Sequence, residues 1–196
     1  LGDNEALTLP NGYWIGNATI DDNLGNLAYT IYINDTSNNY HTAAQQVIPV
    51  ADNDRPIIVD NSPIAGTTGD LFEFNVSVSD NIEIDTVFVQ WAHGNFSGNE
   101  SMNISNGFWM ATIRLDNNNE NLSYTVHAND TSNNYNTRSP QLAVISDNDV
   151  PDLINDSSSD NGTTGDLFLF NVTASDNINV SSIHISWSHG GKNGNE

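Results

Sequence analysis

Leu71-Phe72-Glu73-Phe74-Asn75-Val76-Ser77-Val78-Ser79 alternates apolar and polar residues with a period of two. That is the period of a half-buried strand, because successive side chains of an extended chain point to opposite faces. The same period runs through Val87, Val89 and Trp91, through Trp109, Ala111, Ile113 and Leu115, and through Leu122, Tyr124, Val126 and Ala128. No helical period competes. With further strands after Pro56, near 101–105 and near 141–145, the pattern predicts seven strands in about 95 residues.

The chain repeats itself at that length. Asn11-Gly12-Tyr13-Trp14 returns as Asn106-Gly107-Phe108-Trp109, and Asn34-Asp35-Thr36-Ser37-Asn38-Asn39-Tyr40 as Asn129 to Tyr135, both at an offset of 95. Asp52-Asn53-Asp54-Arg55-Pro56 returns as Asp147-Asn148-Asp149-Val150-Pro151 at the same offset. One inserted residue then makes the offset 96, so that Gly66-Thr67-Thr68-Gly69-Asp70 matches Gly162 to Asp166 and Trp91-Ala92-His93-Gly94 matches Trp187 to Gly190. Proline after a polar run holds the chain extended and separates elements. The boundaries are therefore a C-terminal half-unit over 1–51 (strands D to G), a complete unit over 52–147, and an N-terminal half-unit over 148–196 (strands A to C).

Seven alternating strands per repeat predict an all-β chain of tandem seven-stranded Ig-like or fibronectin-III-like β-sandwich repeats of about 95 residues. Trp91 and Trp187 take the place of a core tryptophan on strand C, and Tyr124 and Tyr29 open strand F as a tyrosine-corner residue does. The Gly-Thr-Thr-Gly-Asp, Ser79-Asp80-Asn81, Asn-Asp-Thr-Ser-Asn-Asn and Asp-Asn-Asp-x-Pro segments together resemble tandem Ig-like repeats of archaeal and bacterial cell-surface proteins. The resemblance covers essentially the whole chain and implies an extracellular, cell-surface setting with a structural or adhesive role. The Asp-Asn-Asp-x-Pro linker also resembles the calcium linker of cadherins, which is longer and has an acidic signature in the preceding domain that is not reproduced here.

Composition narrows the partners. Leu, Ile, Val and Phe supply 48 of 196 residues, enough for a core. Twenty-five acids against four Lys and Arg leave a net charge of −21, too few cations for phosphate contacts, so nucleic acid is excluded as a partner. No run reaches the 18 apolar residues of a membrane span, so this segment is not expected to insert. The chain opens Leu1-Gly2-Asp3 without a basic and then apolar leader, and reads as a mature product or an excised piece. Cysteine is absent, which removes disulfides, thiolate catalysis and Cys-type zinc sites.

The acids sort by pole of the sandwich. Asp52 and Asp54 in the linker, Asp80 in the B–C loop and Asp130 in the F–G loop converge on one junction, which Asp21 or Asp22 approaches from the preceding unit. The second junction collects Asp147, Asp149 and Asp176, with Asp70, Asp116 and Glu120 approaching from the complete unit. Hard oxygen ligands in that number suit Ca²⁺, which takes about 6–8 oxygens. Turn chemistry is the alternative, since Asp and Asn side chains bond the local backbone.

Twelve Asn-x-Ser/Thr sequons occur, at Asn17, Asn34, Asn75, Asn95, Asn99, Asn103, Asn121, Asn129, Asn155, Asn161, Asn171 and Asn179. That is about twice what random order gives, so N-linked glycans are expected, with outward-phased Asn75 and Asn171 among the better acceptors. His93 and His189 read as surface or strand-end residues, and the phase of all four tryptophans puts them in the core. Gly-x-Ser-x-Gly, His-Glu-x-x-His and P-loop patterns are missing, and acids at a hydrated junction lack the pocket a catalytic acid needs, so no enzyme is expected.

Gly2-Asp3-Asn4-Glu5 and Gly194-Asn195-Glu196 both align with Gly98-Asn99-Glu100 at the C–D turn. Neither half-unit closes a sandwich alone, so the halves are expected to complete each other head to tail, either between copies of the chain as a homopolymer or because the chain is one period of a longer continuous polypeptide. The resulting expectation is a structural protein of a filament, sheath or surface layer. The competing one is an adhesin stalk or carbohydrate-binding module.

Overall fold

The computed structural model describes residues 7–195, so Gly2 to Glu5 and Glu196, aligned above with the C–D turn, lie outside the described residues. Every regular element among them is a strand, and the fold is all-β. The chain forms two compact units, one from residues up to 57 with 78–86 and 128–136, the other from 58–77, 87–127 and 137 onward.

In the first unit β1 (Leu27–Tyr29) pairs antiparallel with β4 (Gln46–Ile48), and β2 (Tyr32–Asn34) with β3 (Tyr40–Thr42). The central strands are β5 (Ile57–Asp60), β6 (Ala65–Thr67), β7 (Leu71–Ser79), β8 (Ile84–His93), β9 (Phe96–Ser101), β10 (Asn103–Ser105), β11 (Phe108–Arg114), β12 (Leu122–Asp130), β13 (Tyr135–Thr137) and β14 (Gln141–Ser146). One sheet runs β10-β11-β7-β5; the other runs β6-β14-β12-β8-β9, with β13 on β12. Phe72, Phe74 and Val76 of β7 and Leu122, Tyr124 and Val126 of β12 are buried on the facing sides. The Phe74 and Tyr124 rings meet edge to face with centroids 5.0 Å apart, which closes the two sheets into a sandwich. Such a pair adds about 0.5–1.5 kcal/mol beyond its buried area.

Alternation anticipated these inward faces, but ten strand segments stand where seven are expected. The first strand breaks at Ile64, so β5 joins the sheet of β7 while β6 runs parallel to β14. The 101–105 segment divides at buried Met102, whose amide donates to the Val87 carbonyl at 2.9 Å; β9 pairs with β8 and β10 with β11. Asn106 (φ 52°) and Gly107 (φ 84°) make the tight β10–β11 turn, a place for two left-handed residues.

The tryptophan expectation is corrected. Trp14 is exposed, and Trp91, Trp109 and Trp187 are half-buried. Trp91 faces Gly98 across β8 and β9, where a Cβ would stand 3.2 Å from the indole; the missing side chain seats the ring at a sheet edge.

Beyond Pro151, β15 (Asp152–Asp156) pairs with β16 (Val172–Ser175), and β17 (Ser186–His189) with β18 (Lys192–Asn195). The inserted residue is absorbed by a register shift between Leu153 and Asn155. Residues 167–171, expected as strand B, are not strand, and Trp14 to Ile20 form no more than the Thr8–Ile15 bridge. A period of two marks which face would be buried, but without a second layer nothing offsets the entropy of fixing the chain.

Candidate metal centre

Strand β12 ends in Asp130, which is fully buried. One carboxylate oxygen accepts the amides of Ser132 and Asn134, each at 2.8 Å, and the other accepts Asn134 Nδ2 at 2.9 Å. The loop can turn back on its own carboxylate because Asn133 adopts φ 67°, a conformation Asn tolerates better than most side chains. Asn134 Nδ2 also donates to Asp52 Oδ2 at 2.9 Å, tying the F–G loop to the linker.

Asp52 Oδ1 accepts the Asp54 amide at 3.1 Å and Asn81 Nδ2 at 3.2 Å, and Asn81 Nδ2 reaches Asp54 Oδ2 at 3.1 Å. Asp80 Oδ1 accepts the Ile82 amide at 3.0 Å, while its Oδ2 is enclosed and has no hydrogen-bond partner. One carboxylate oxygen from each of Asp52, Asp80 and Asp130 lies within 4.8 Å of the other two. Two oxygens on opposite sides of a Ca²⁺ bound at ~2.4 Å stand ~4.8 Å apart, so three oxygens this close could reach one such ion. Among the described residues no Lys or Arg forms an ion pair with these acids; the one such pair is Arg138–Asp60 at 4.0 Å. Partial desolvation pushes the Asp52 carboxyl up, but hydrogen bonds donated by the Asp54 amide and Asn81 Nδ2 outweigh it, so it stays below the usual range and ionised. Adjacent like charges with an unpartnered buried oxygen fit a divalent cation better than turn formation, which Asp80 Oδ1 already satisfies.

Asp21 stands outside the triad. It lines, with Asp22, Asp52, Asp54 and Asn81, an adjoining cleft of about 230 Å³. The second expected set is not gathered into a cluster of three among the described residues. Asp147 Oδ1 accepts Thr68 Oγ1 at 3.0 Å, Asn177 Nδ2 bridges Thr68 Oγ1 (2.9 Å) and Asp149 Oδ2 (2.7 Å), and Asp176 Oδ1 accepts the Ile178 amide at 2.9 Å. Asp70 takes Thr67 Oγ1 at 2.6 Å and Asn148 Nδ2 at 3.4 Å. Asp116 belongs to another constellation: its amide donates to Nδ1 of buried His93 at 3.1 Å, and Nε2 of that ring donates to the Asn118 carbonyl at 3.1 Å. His93 is thus a strand-end residue, as expected, but a buried one rather than a surface one. Glu120 is exposed.

The bridging amides Asn81, Asn134 and Asn177 were not singled out by sequence reasoning as site residues. For Asn81 and Asn177 the signal is the Asp-Asn pair at 80–81 and again at 176–177, and for Asn134 the Asn-Asn pair at 133–134 that repeats 38–39. Of the sequon asparagines, Asn75 and Asn129 are half-buried and the other ten exposed. Asn75 Oδ1 is enclosed, which makes that residue a poor acceptor despite its strand phase.

No protein-family model matches the chain, and no curated protein does. Among solved structures, 42 chains match. One is the crystal structure of an engineered protein, 16% identical, with a TM-score of 0.38 over 47% of this chain. The match spans 20% of that protein's length.

Proposed function

We propose that this chain is a structural repeat protein of an extracellular filament, sheath or surface layer, assembled head to tail from Ig-like units, stiffened by Ca²⁺ and carrying N-linked glycans. The observation that supports this most is the exposure of apolar residues whose repeat equivalents form the sandwich core. Phe72 and Val126 are 2% and 0% exposed, whereas Phe168 and Ile31, at the matching positions, are 44% and 43% exposed. The segments before and after the complete unit carry complementary halves of the same repeat, so each supplies the layer the other lacks. Uncovered apolar faces of this kind mark interaction surfaces. The resemblance to cell-surface repeats, the sequon density and the acid triad favour the extracellular, calcium-bound setting. Nothing about the acids favours catalysis over ion binding.

Sedimentation and negative-stain microscopy across a concentration series in millimolar Ca²⁺ test the reading. Expected are concentration-dependent oligomers that elongate. A monodisperse monomer throughout would overturn self-assembly, and calorimetry without Ca²⁺ binding would overturn the ion.

A further inference from the structure

Two polar contacts lock the seam of the complete sandwich. The Tyr124 hydroxyl on β12 donates to Asp60 Oδ2 on β5 at 2.8 Å, and the His93 ring at the end of β8 is held between the Asp116 amide and the Asn118 carbonyl. The repeat places the same residue types in the flanking segments: Tyr29, Asp21 and Asn23 before the complete unit, Asp156 and His189 after it.

Both sets already have the local geometry of the seam. In the acceptor loop, Asn23 N donates to Asp21 O at 2.7 Å and Gly25 N to Asn23 Oδ1 at 2.6 Å, as Asn118 N does to Asp116 O at 2.9 Å and Glu120 N to Asn118 Oδ1 at 2.6 Å. Asp156 Oδ1 accepts the Ser158 amide at 2.9 Å, as Asp60 Oδ1 accepts that of Ser62 at 2.9 Å. The hairpin bearing His189 keeps the register of the one bearing His93: Trp187 faces Gly194 as Trp91 faces Gly98, and Gly190 and Gly94 share φ 57°. One partner is not reproduced, since Ala43 stands at the repeat position of Arg138.

We propose that copies of this chain dock by repeating that seam between molecules: Tyr29 donates to the Asp156 carboxylate of a second copy, and the His189 ring of that copy seats on the Asp21 amide and Asn23 carbonyl. This rests on the self-assembly reading and adds its register. The β7–β11 pairing sets Phe74 opposite Ala111 and Glu73 opposite Thr112, so Phe170 comes opposite Gly16 and Leu169 opposite Asn17. Apolar faces alone tolerate sliding, whereas a buried imidazole with one donor and one acceptor is satisfied in a single position.

The chain has no cysteine, so engineered thiols report the register cleanly. Asn17→Cys chains mixed with Leu169→Cys chains should form a one-to-one disulfide dimer, because directly opposed strand residues have the spacing a disulfide needs. Leu167→Cys, whose register partner is Thr19, should couple to Asn17→Cys at least tenfold less. Tyr29→Phe should weaken the sedimentation Kd about fivefold and His189→Ala more than tenfold, with Asn193→Ala, an exposed residue of the same segment whose repeat counterpart Ser97 is also exposed, as the unchanged control. No association of any variant or of the parent chain would overturn self-assembly itself. Association with a correct disulfide but unchanged Kd in Tyr29→Phe and His189→Ala would overturn this inference and leave self-assembly standing. Equal coupling of the two thiol positions would overturn the register, and closure of an Asn17→Cys/Leu169→Cys chain on itself would overturn docking between copies.

Discussion

Tyr124 shows how one polar atom in a core ties stability to pH. Burial pushes its phenol up, and the hydrogen bond and charge of Asp60 add to this, taking it to about 12 from the ordinary tyrosine value of 10.0. A group that holds its proton more tightly when folded stabilises the fold below its unfolded value, and the contribution disappears as pH rises through the folded one. The parent chain should therefore lose melting temperature between pH 10 and 12 more steeply than Tyr124→Phe, which should cost about 1 kcal/mol at neutral pH by leaving Asp60 Oδ2 with Arg138 while Oδ1 keeps the Ser62 amide. The acids behave oppositely. Asp52 and Asp147 are held low by hydrogen bonds, which outweigh desolvation at Asp52: from the Asp54 amide and Asn81 in one case and from Asp149, Thr68, Asn177 and Asn148 in the other. Their contribution is present above the ordinary carboxylate value of 3.8 and is lost as pH falls below it. Thermal melts between pH 5 and 2 check this, and Asp52→Asn should flatten the acid limb. The carboxylates were legible in the sequence because loops of known pole carry them. The amides that bridge them were not, since Asn in a turn looks the same whether or not it reaches a second loop; the place of His93 at a strand end was legible but its burial was not, its partners lying in a loop 23 residues or more away.

Turn and packing constraints belong to the element. Asn133 at φ 67° makes the loop that presents Asp130, and Asn38 at φ 64° makes its repeat. Asn133→Gly should leave the urea midpoint nearly unchanged, while Asn133→Val should cost about 1–2 kcal/mol, the penalty for a left-handed branched residue. Gly66 sits where a Cβ would come within 3.0–3.1 Å of Phe72, Leu115 and Ile145, so Gly66→Ala should overpack the core and cost about 1–3 kcal/mol. Alternation located β7, β8, β11 and β12 because each has a buried face long enough to carry the period. It could not show that the strand after Pro56 changes sheets at Ile64, since β6 pairs with β14, almost 80 residues on. Nor could it separate the complete unit from the flanks, whose alternation is as clean but whose facing layer is missing.

A net charge of −21 opposes association of whole molecules, so the apolar seam has to form against repulsion. Salt should therefore strengthen assembly by screening, and Ca²⁺ bound at the proposed acid sites should do so at far lower concentration. The repeat indicates where. Asp147 and Asp176 correspond to Asp52 and Asp80, and the counterpart of Asp130 is Asp35. Asp35 Oδ1 accepts the amides of Ser37 and Asn39 at 2.9 and 2.8 Å, the pattern that orients Asp130. Docked in the register above, Asp35 of one copy would join Asp147 and Asp176 of another and complete a second triad. The bound calcium should rise from about one per chain in dilute monomer to about two in the assembly, measured by elemental analysis after equilibrium dialysis. Asp35→Asn should remove the second ion and raise the calcium concentration needed for assembly, while leaving the monomer's ion and melting temperature unchanged; Asp80→Asn should do the reverse, removing the ion that the monomer holds. Because an ion bound only by the docked form stabilises it by mass action, chelation should dissolve oligomers before it unfolds the central sandwich. Assemblies that persist unchanged in chelator with one ion or none per chain would show that the junctions are held by the apolar seam alone.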